Sequence, residues 1–138
     1  MRLVLDTSVL IDHLRGRPRA AVEVIPRAIA RGDELWSSHV VRAELLAGMR
    51  AVEEAATREL LRLITWVDVD ESMAEAAGAL GRRYLSSHPG IQVADLIVAA
   101  LAQHLDAELK TTNVKHFPMF KGLKAPYRAS PSSCAALR

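Results

Sequence analysis

The segment at residues 93–105 constrains this chain more than any other. It is apolar on nearly every side, with Val93, Leu96, Ile97, Val98, Leu101 and Leu105 among its members. A helix without a polar face must be covered all round, so this one is expected deep in the core. It nevertheless carries Asp95. A carboxylate in such a helix is costly unless it is paired, hydrogen-bonded or bound to metal. An acid in the first turn, favoured by the helix dipole, is the competing account.

Around this core helix, short apolar runs alternate with amphipathic stretches. Leu3-Val4-Leu5 reads as a buried strand. Residues 7–14 form the next expected helix, closed by Gly16, and residues 19–31 another, stopped at Gly32 and kinked at Pro26. A second strand is expected at 34–37, then a helix to Ala47 with Ser38 as its N-cap. Residues 52–63 read as helix, 64–69 as strand and 72–86 as helix, before the turn at His88-Pro89-Gly90. A last strand is expected at 108–111. Strand–helix alternation of this kind predicts a three-layer α/β domain with a mostly parallel sheet. Ligands of such sheets sit beyond the carboxyl ends of the strands, where Asp6 and Asn113 stand.

The length, 138 residues with half of them hydrophobic, suits one domain over 1–138, with a loose tail at about 130–138. No apolar run approaches the roughly 20 residues of a membrane span, so no membrane association is expected. The apolar start before Asp6 is too short for a secretory signal. The single cysteine, Cys134, rules out an intramolecular disulfide and a cysteine zinc cluster. These features fit a cytoplasmic protein.

The formal charge of +2 is unevenly distributed. All 16 acids lie at or before Glu108, while Lys110, Lys115, Lys121, Lys124, Arg128 and Arg138 follow it. Such asymmetry suits a polyanionic partner or, equally, a solvated basic tail.

Three carboxylates stand out. Asp6 directly follows the first strand; taken alone it reads as an N-cap. Glu44 taken alone reads as a surface charge at the edge of an apolar stripe. For Asp95 the functional and structural readings balance. Convergence of all three at one end of a sheet would invite a hard cation with oxygen ligands, and magnesium suits such a set. Carboxylates, magnesium and a basic flank together point to phosphodiester chemistry.

Other chemistries fit less well. The histidines at 13, 39, 88, 104 and 116 show no zinc-type pairing, and most are expected at the surface. Ser8 has no histidine partner, Cys134 lies in the tail, and no glycine loop for phosphate is present. An aspartate-nucleophile phosphatase would carry a second aspartate two positions after Asp6, where Ser8 stands.

Taken in order, four motifs resemble the PIN-domain family, specifically VapC-type toxins of toxin–antitoxin pairs. They are Leu3-Val4-Leu5-Asp6-Thr7-Ser8-Val9-Leu10-Ile11-Asp12; Ser38 through Ala43-Glu44-Leu45-Leu46-Ala47-Gly48; Gly90-Ile91-Gln92-Val93-Ala94-Asp95-Leu96-Ile97-Val98-Ala99-Ala100; and Thr111-Thr112-Asn113-Val114-Lys115-His116-Phe117. The resemblance implies an α/β/α PIN fold and a magnesium-dependent endoribonuclease, with manganese as a substitute ion. It also implies RNA substrates, a homodimer and inhibition by a cognate antitoxin that pushes a basic side chain into the acidic site. By position, Asp6 and Asp95 are implied as metal ligands, with Glu44 as a third acid acting through water or as a base. Asn113 completes the set but departs from the family, which often has an aspartate in this region. His116 stands where an acid is also frequent. An amide binds magnesium or water through its carbonyl yet brings no charge, which weakens the case for a second metal. The rival to an enzyme is a catalytically weak PIN-like module that binds RNA or a partner.

Overall fold

The computed structural model describes residues 1–128; the expectations for the tail, Cys134 included, fall outside them. Strands β1 (Arg2–Leu5), β2 (Glu34–Ser38), β3 (Thr65–Val67) and β4 (Glu108–Lys110) form one sheet in the order β3-β2-β1-β4, and every pair is parallel. Helices α1 (Thr7–Arg15), α2 (Ala21–Ala30), α3 (His39–Ala47), α4 (Glu54–Leu61), α5 (Glu71–Tyr84) and α6 (Val93–His104) flank it. The fold is the expected three-layer α/β/α arrangement.

The apolar continuity of the two key segments has the expected outcome. Leu3, Val4 and Leu5 are all buried, so both faces of β1 are covered, the mark of a central strand in a parallel sheet. In α6 every residue from Leu96 to Ala102 is buried. Helix α6 touches β1, β2 and β4 on one side and α3 and α5 on others.

Topology positions the site. The chain leaves β1 towards β2 and β3, then returns to the other side of β1 as β4. The carboxyl ends of β1 and β4 therefore border a switch-point crevice. The Asp6 amide donates to the Lys110 carbonyl at 3.0 Å, so the pairing persists to the lip of that crevice.

Several boundaries differ from expectation. Strand β3 pairs over Thr65–Val67, because β2, its one neighbour among the described residues, turns into α3 after Ser38, the partner of Val67. Helix α5 begins at Glu71 rather than 72 and ends at Tyr84; the Asp70 carboxylate accepts from the Met73 amide at 2.8 Å and is its N-cap. The expected helix at 52–63 is a 3₁₀ turn, Ala51–Glu53, followed by α4. Helix α2 starts later than expected, at Ala21, and continues through Pro26 to Ala30. Gly16 and Gly32 stop α1 and α2 as expected, both with positive φ, 69° and 81°.

Candidate active site

Asp6, Glu44, Asp95 and Asn113, the four residues singled out in the sequence, line one small cleft together with Thr7, Ser8, Gln92 and His116. Each arrives from a different element. Asp6 is the first residue beyond β1, Glu44 lies on α3, Asp95 is in the first turn of α6, and Asn113 precedes the 3₁₀ turn Val114–His116 after β4.

Asp6 is 5% exposed. It holds the N-cap position of α1 but its carboxylate makes no capping hydrogen bond. Instead Thr111 donates to Oδ2 at 2.6 Å and Ser8 donates to the same oxygen at 3.3 Å. Burial pushes the Asp6 carboxyl up to about 6, against the pull of the Thr111 donor, and the charges of Asp95 and Glu44 add to the rise.

Asp95 is half-buried at the third position of α6, where it is at once a first-turn acid and a hydrogen-bonded, paired carboxylate. Its Oδ2 accepts from the Gln92 amide at 2.9 Å, an N-terminal capping contact. The same oxygen meets His116 Nδ1 at 3.2 Å. Glu44 is exposed, as expected of a surface charge, yet Thr7 Oγ1 donates to its Oε1 at 2.8 Å and fixes it at the lip of the cleft.

A family model described as PIN domain matches residues 3–118. The chain belongs to the PIN-domain family. Among relatives of this PIN domain, Ribonuclease VapC19 of Mycobacterium tuberculosis (strain H37Rv) is 48% identical over 124 residues, covering 90% of this chain and 98% of the relative. Ribonuclease VapC10 of the same strain is 40% identical over 126 residues, covering 91% and 92%. Among solved structures, a toxin–antitoxin complex from Klebsiella pneumoniae superposes with a TM-score of 0.71 at 28% identity, covering 91% of this chain and 98% of that one. VapBC2 from Rickettsia felis, bound to a DNA fragment from its promoter, superposes with a TM-score of 0.72 at 23% identity, covering 91% and 97%. The expected membership, on the VapC branch of the PIN domains, holds.

Part of this PIN-domain cleft has no counterpart in the sequence-based expectations. Most of the histidines are expected at the surface, but His116 is 7% exposed and paired with Asp95. Thr7 and Ser8 were not assigned a polar role in the cleft. The available signal was the placement of hydroxyls next to the acids, Asp6-Thr7-Ser8 and Thr111-Thr112-Asn113. Thr111 is the closest of these hydroxyls to an acid, at 2.6 Å from Asp6.

The donor set is hard: three carboxylates and an amide. Among the described residues, no group of three histidine, cysteine or acidic side chains stands ready to hold a metal ion by itself. Oxygen donors of this kind are the ones an ion that takes one or two carboxylates and keeps much of its water would use. Burial raises the Asp6 carboxyl, the charges of Asp95 and Glu44 add to the rise, and a cation beside it would favour the charged form. Asp6 and Asp95 fit as its holders.

Proposed function

We propose that this PIN domain is a magnesium-dependent endoribonuclease, the toxin of a toxin–antitoxin pair, with manganese able to replace magnesium. The observation that carries the reading is the buried Asp6, charged against Asp95 and Glu44 in a crevice at the switch point of the sheet. The names of the VapC relatives support the ribonuclease class.

In this mechanism Asp6 and Asp95 hold the cation. When bound, it supplies Lewis-acid polarisation of a phosphoryl oxygen and offsets the charge that develops there. Glu44, steadied by Thr7, orients the attacking water and takes its proton. The Asn113 side chain, a neutral donor and acceptor, helps align that water. A bond forms from water oxygen to phosphorus, the bond to the 3′ oxygen breaks, and that oxygen takes a proton from solvent, so the products are a 5′-phosphate and a 3′-hydroxyl. Lys115, exposed beside the cleft, and the basic residues after it attract the RNA backbone.

Incubating the purified protein with total RNA, with magnesium or with chelator, tests this reading. Magnesium-dependent cleavage lost in Asp6→Asn is expected; chelator-resistant cleavage that survives the substitution would overturn it. Tight RNA binding with neither metal binding nor cleavage would favour the weak binding module instead, the reading that the neutral Asn113 supports.

The proposed antitoxin partner has a candidate seat. A groove of about 340 Å³ between α1, α3 and α4 shares Thr7 and Glu44 with the cleft and is lined by Ile11, Leu14, Leu45 and Met49. An apolar peptide segment seated there would place a basic side chain next to the acids. Co-purification with the product of the neighbouring gene, and loss of cleavage in that complex, are the expected results. A homodimer is the proposed assembly, to be read by light scattering on the purified chain.

A further inference from the structure

We infer that a basic cavity between α2 and the end of β4 holds one backbone phosphate of the RNA strand whose neighbouring segment lies in the acidic cleft. The inference rests on the nuclease reading and gives the strand a second point of attachment. The cavity encloses about 210 Å³ and is lined by Arg27 and Arg31 at α2, by Lys110 at the end of β4 and by Pro126. Arg27 and Arg31 stand at i and i+4 and so share one helix face. Lys110 immediately precedes Thr111, and its carbonyl accepts from the Asp6 amide at 3.0 Å. The cavity therefore adjoins the acidic cleft along the same strand end.

Charge carries the argument. Three cations line the cavity against a single acid, Glu23. Each cation is steadied by a carboxylate: Arg27 by Glu23 at 2.8 Å, Arg31 by Asp33 at 3.0 Å and Lys110 by Glu108 at 2.7 Å. Asp33 and Glu108 lie outside the lining, so their pairs orient the side chains and leave an excess of positive charge at the cavity. A guanidinium has five N–H donors and an ammonium three, and one carboxylate occupies only part of either. An exposed pair such as Arg27 with Glu23 contributes little, whereas a phosphate offers the arginine fork two oxygens at once. The wall at Pro126 is anchored, because the next residue, Tyr127, donates to the buried Asp12 at 2.8 Å. An RNA strand is favoured over an acidic peptide, since a strand seated in the cleft already lies beside Lys110.

Fluorescence anisotropy of a labelled single-stranded RNA reads the contact. It is titrated with Asp6→Asn protein at several potassium chloride concentrations, without divalent cation. Adding Arg27→Ala and Arg31→Ala is expected to make the slope of log affinity against log salt shallower by about 0.7, the share of one phosphate on a single strand. The two side chains are 71% and 58% exposed, so their removal spares the fold. In the otherwise native protein with magnesium, the same substitutions should raise KM for RNA and leave turnover unchanged. Replacing Arg82 and Arg83 of α5 with alanine removes equal charge elsewhere and is expected to leave the slope as it was. An unchanged slope in the Arg27/Arg31 variant, or an equal change in the α5 variant, would overturn the site and leave the nuclease reading intact. Tight binding of inorganic phosphate alone, with an unchanged RNA slope, would assign the cavity to a free phosphate and overturn it as well. No RNA binding together with no cleavage by the wild type would overturn both readings.

Discussion

Thr111 reaches across from the end of β4 to donate a 2.6 Å hydrogen bond to the buried carboxylate of Asp6 at the end of β1. Both residues are nearly or fully inaccessible to water, so this hydroxyl is the main protein group that offsets the desolvation of Asp6. It also accepts from the Asn113 amide at 3.0 Å and thereby ties the turn after β4 to the same point.

Thr111→Val keeps the shape and removes the hydroxyl. The expected cost is about 1–3 kcal/mol, the price of leaving a buried acceptor without its donor. The Asp6 carboxyl should rise further, because the Thr111 donor is the largest influence holding it down. Urea denaturation reads the stability change. Metal titration at pH 6 and pH 8 reads the second effect: affinity should fall more at the lower pH, where the variant keeps its proton. Unchanged affinity at both would show that Asp6 does not depend on Thr111.

Asp6 also sets a pH dependence whose sign is fixed. Its carboxyl stands at about 6 in the folded chain, raised from 3.8 mainly by burial. Between those values the folded state holds a proton that the unfolded state has lost, so stability falls as pH rises through this window. Two units correspond to about 3 kcal/mol of destabilisation, fully present above pH 6 in the metal-free protein. Asp6→Asn removes the charge. The metal-free variant is expected to be more stable than wild type at pH 7 and to lose the difference towards pH 4. Thermal melts across that range, compared between the two, check it. Divalent cation should stabilise only the wild type.

How far this arrangement was legible in the sequence depends on the distance between partners. The burial of β1 and α6 follows from unbroken apolar runs, which leave few alternatives. Asp6 and Asp95 stand out because their neighbours make a charge expensive. The partners that hold them are another matter. Thr111 meets Asp6 only because Leu5 pairs with Lys110 in the register of β1 and β4, and no local pattern encodes that register. His116 meets Asp95 from 21 positions away, by way of a short turn that propensity does not foretell. The trimmed end of β3 has the same origin, since a strand ends where its partner does. Glu44 illustrates the converse: it looks like a surface residue, is one, and gains its place in the cleft from a single bond to Thr7.

Asp12 and Tyr127 form a second buried pair, remote in sequence and outside the cleft. Asp12 is fully buried in α1, and the Tyr127 hydroxyl donates to its Oδ2 at 2.8 Å. Its Oδ1 has no partner among the described residues. Burial, together with Asp12, pushes the tyrosine hydroxyl well above its ordinary range, so it remains a donor at any working pH. Tyr127→Phe is expected to cost about 1–3 kcal/mol, towards the upper end because the acceptor is a carboxylate. The midpoint of urea unfolding should drop while metal affinity stays at the wild-type value. A shift in metal affinity would show that the segment around Tyr127 supports the cleft.

Glu44 separates the roles of fold and chemistry most cleanly, because it is exposed and its neighbours are not built around its charge. Glu44→Gln retains an acceptor for Thr7 at nearly the same shape, so stability should move by no more than about 0.5 kcal/mol. The variant loses the base. If Glu44 takes the proton of the attacking water, turnover should drop by about 10²–10⁴ while KM for RNA stays near the wild-type value. Thr7→Val removes only the hydroxyl that aims Glu44 from 2.8 Å, so it should lower turnover by a smaller factor and add little to Glu44→Gln in the double variant. Additive losses would mean that Thr7 serves the site independently of Glu44, through the RNA rather than through the carboxylate. Single-turnover cleavage of a defined RNA by the four proteins decides between the two, since it isolates the chemical step from product release.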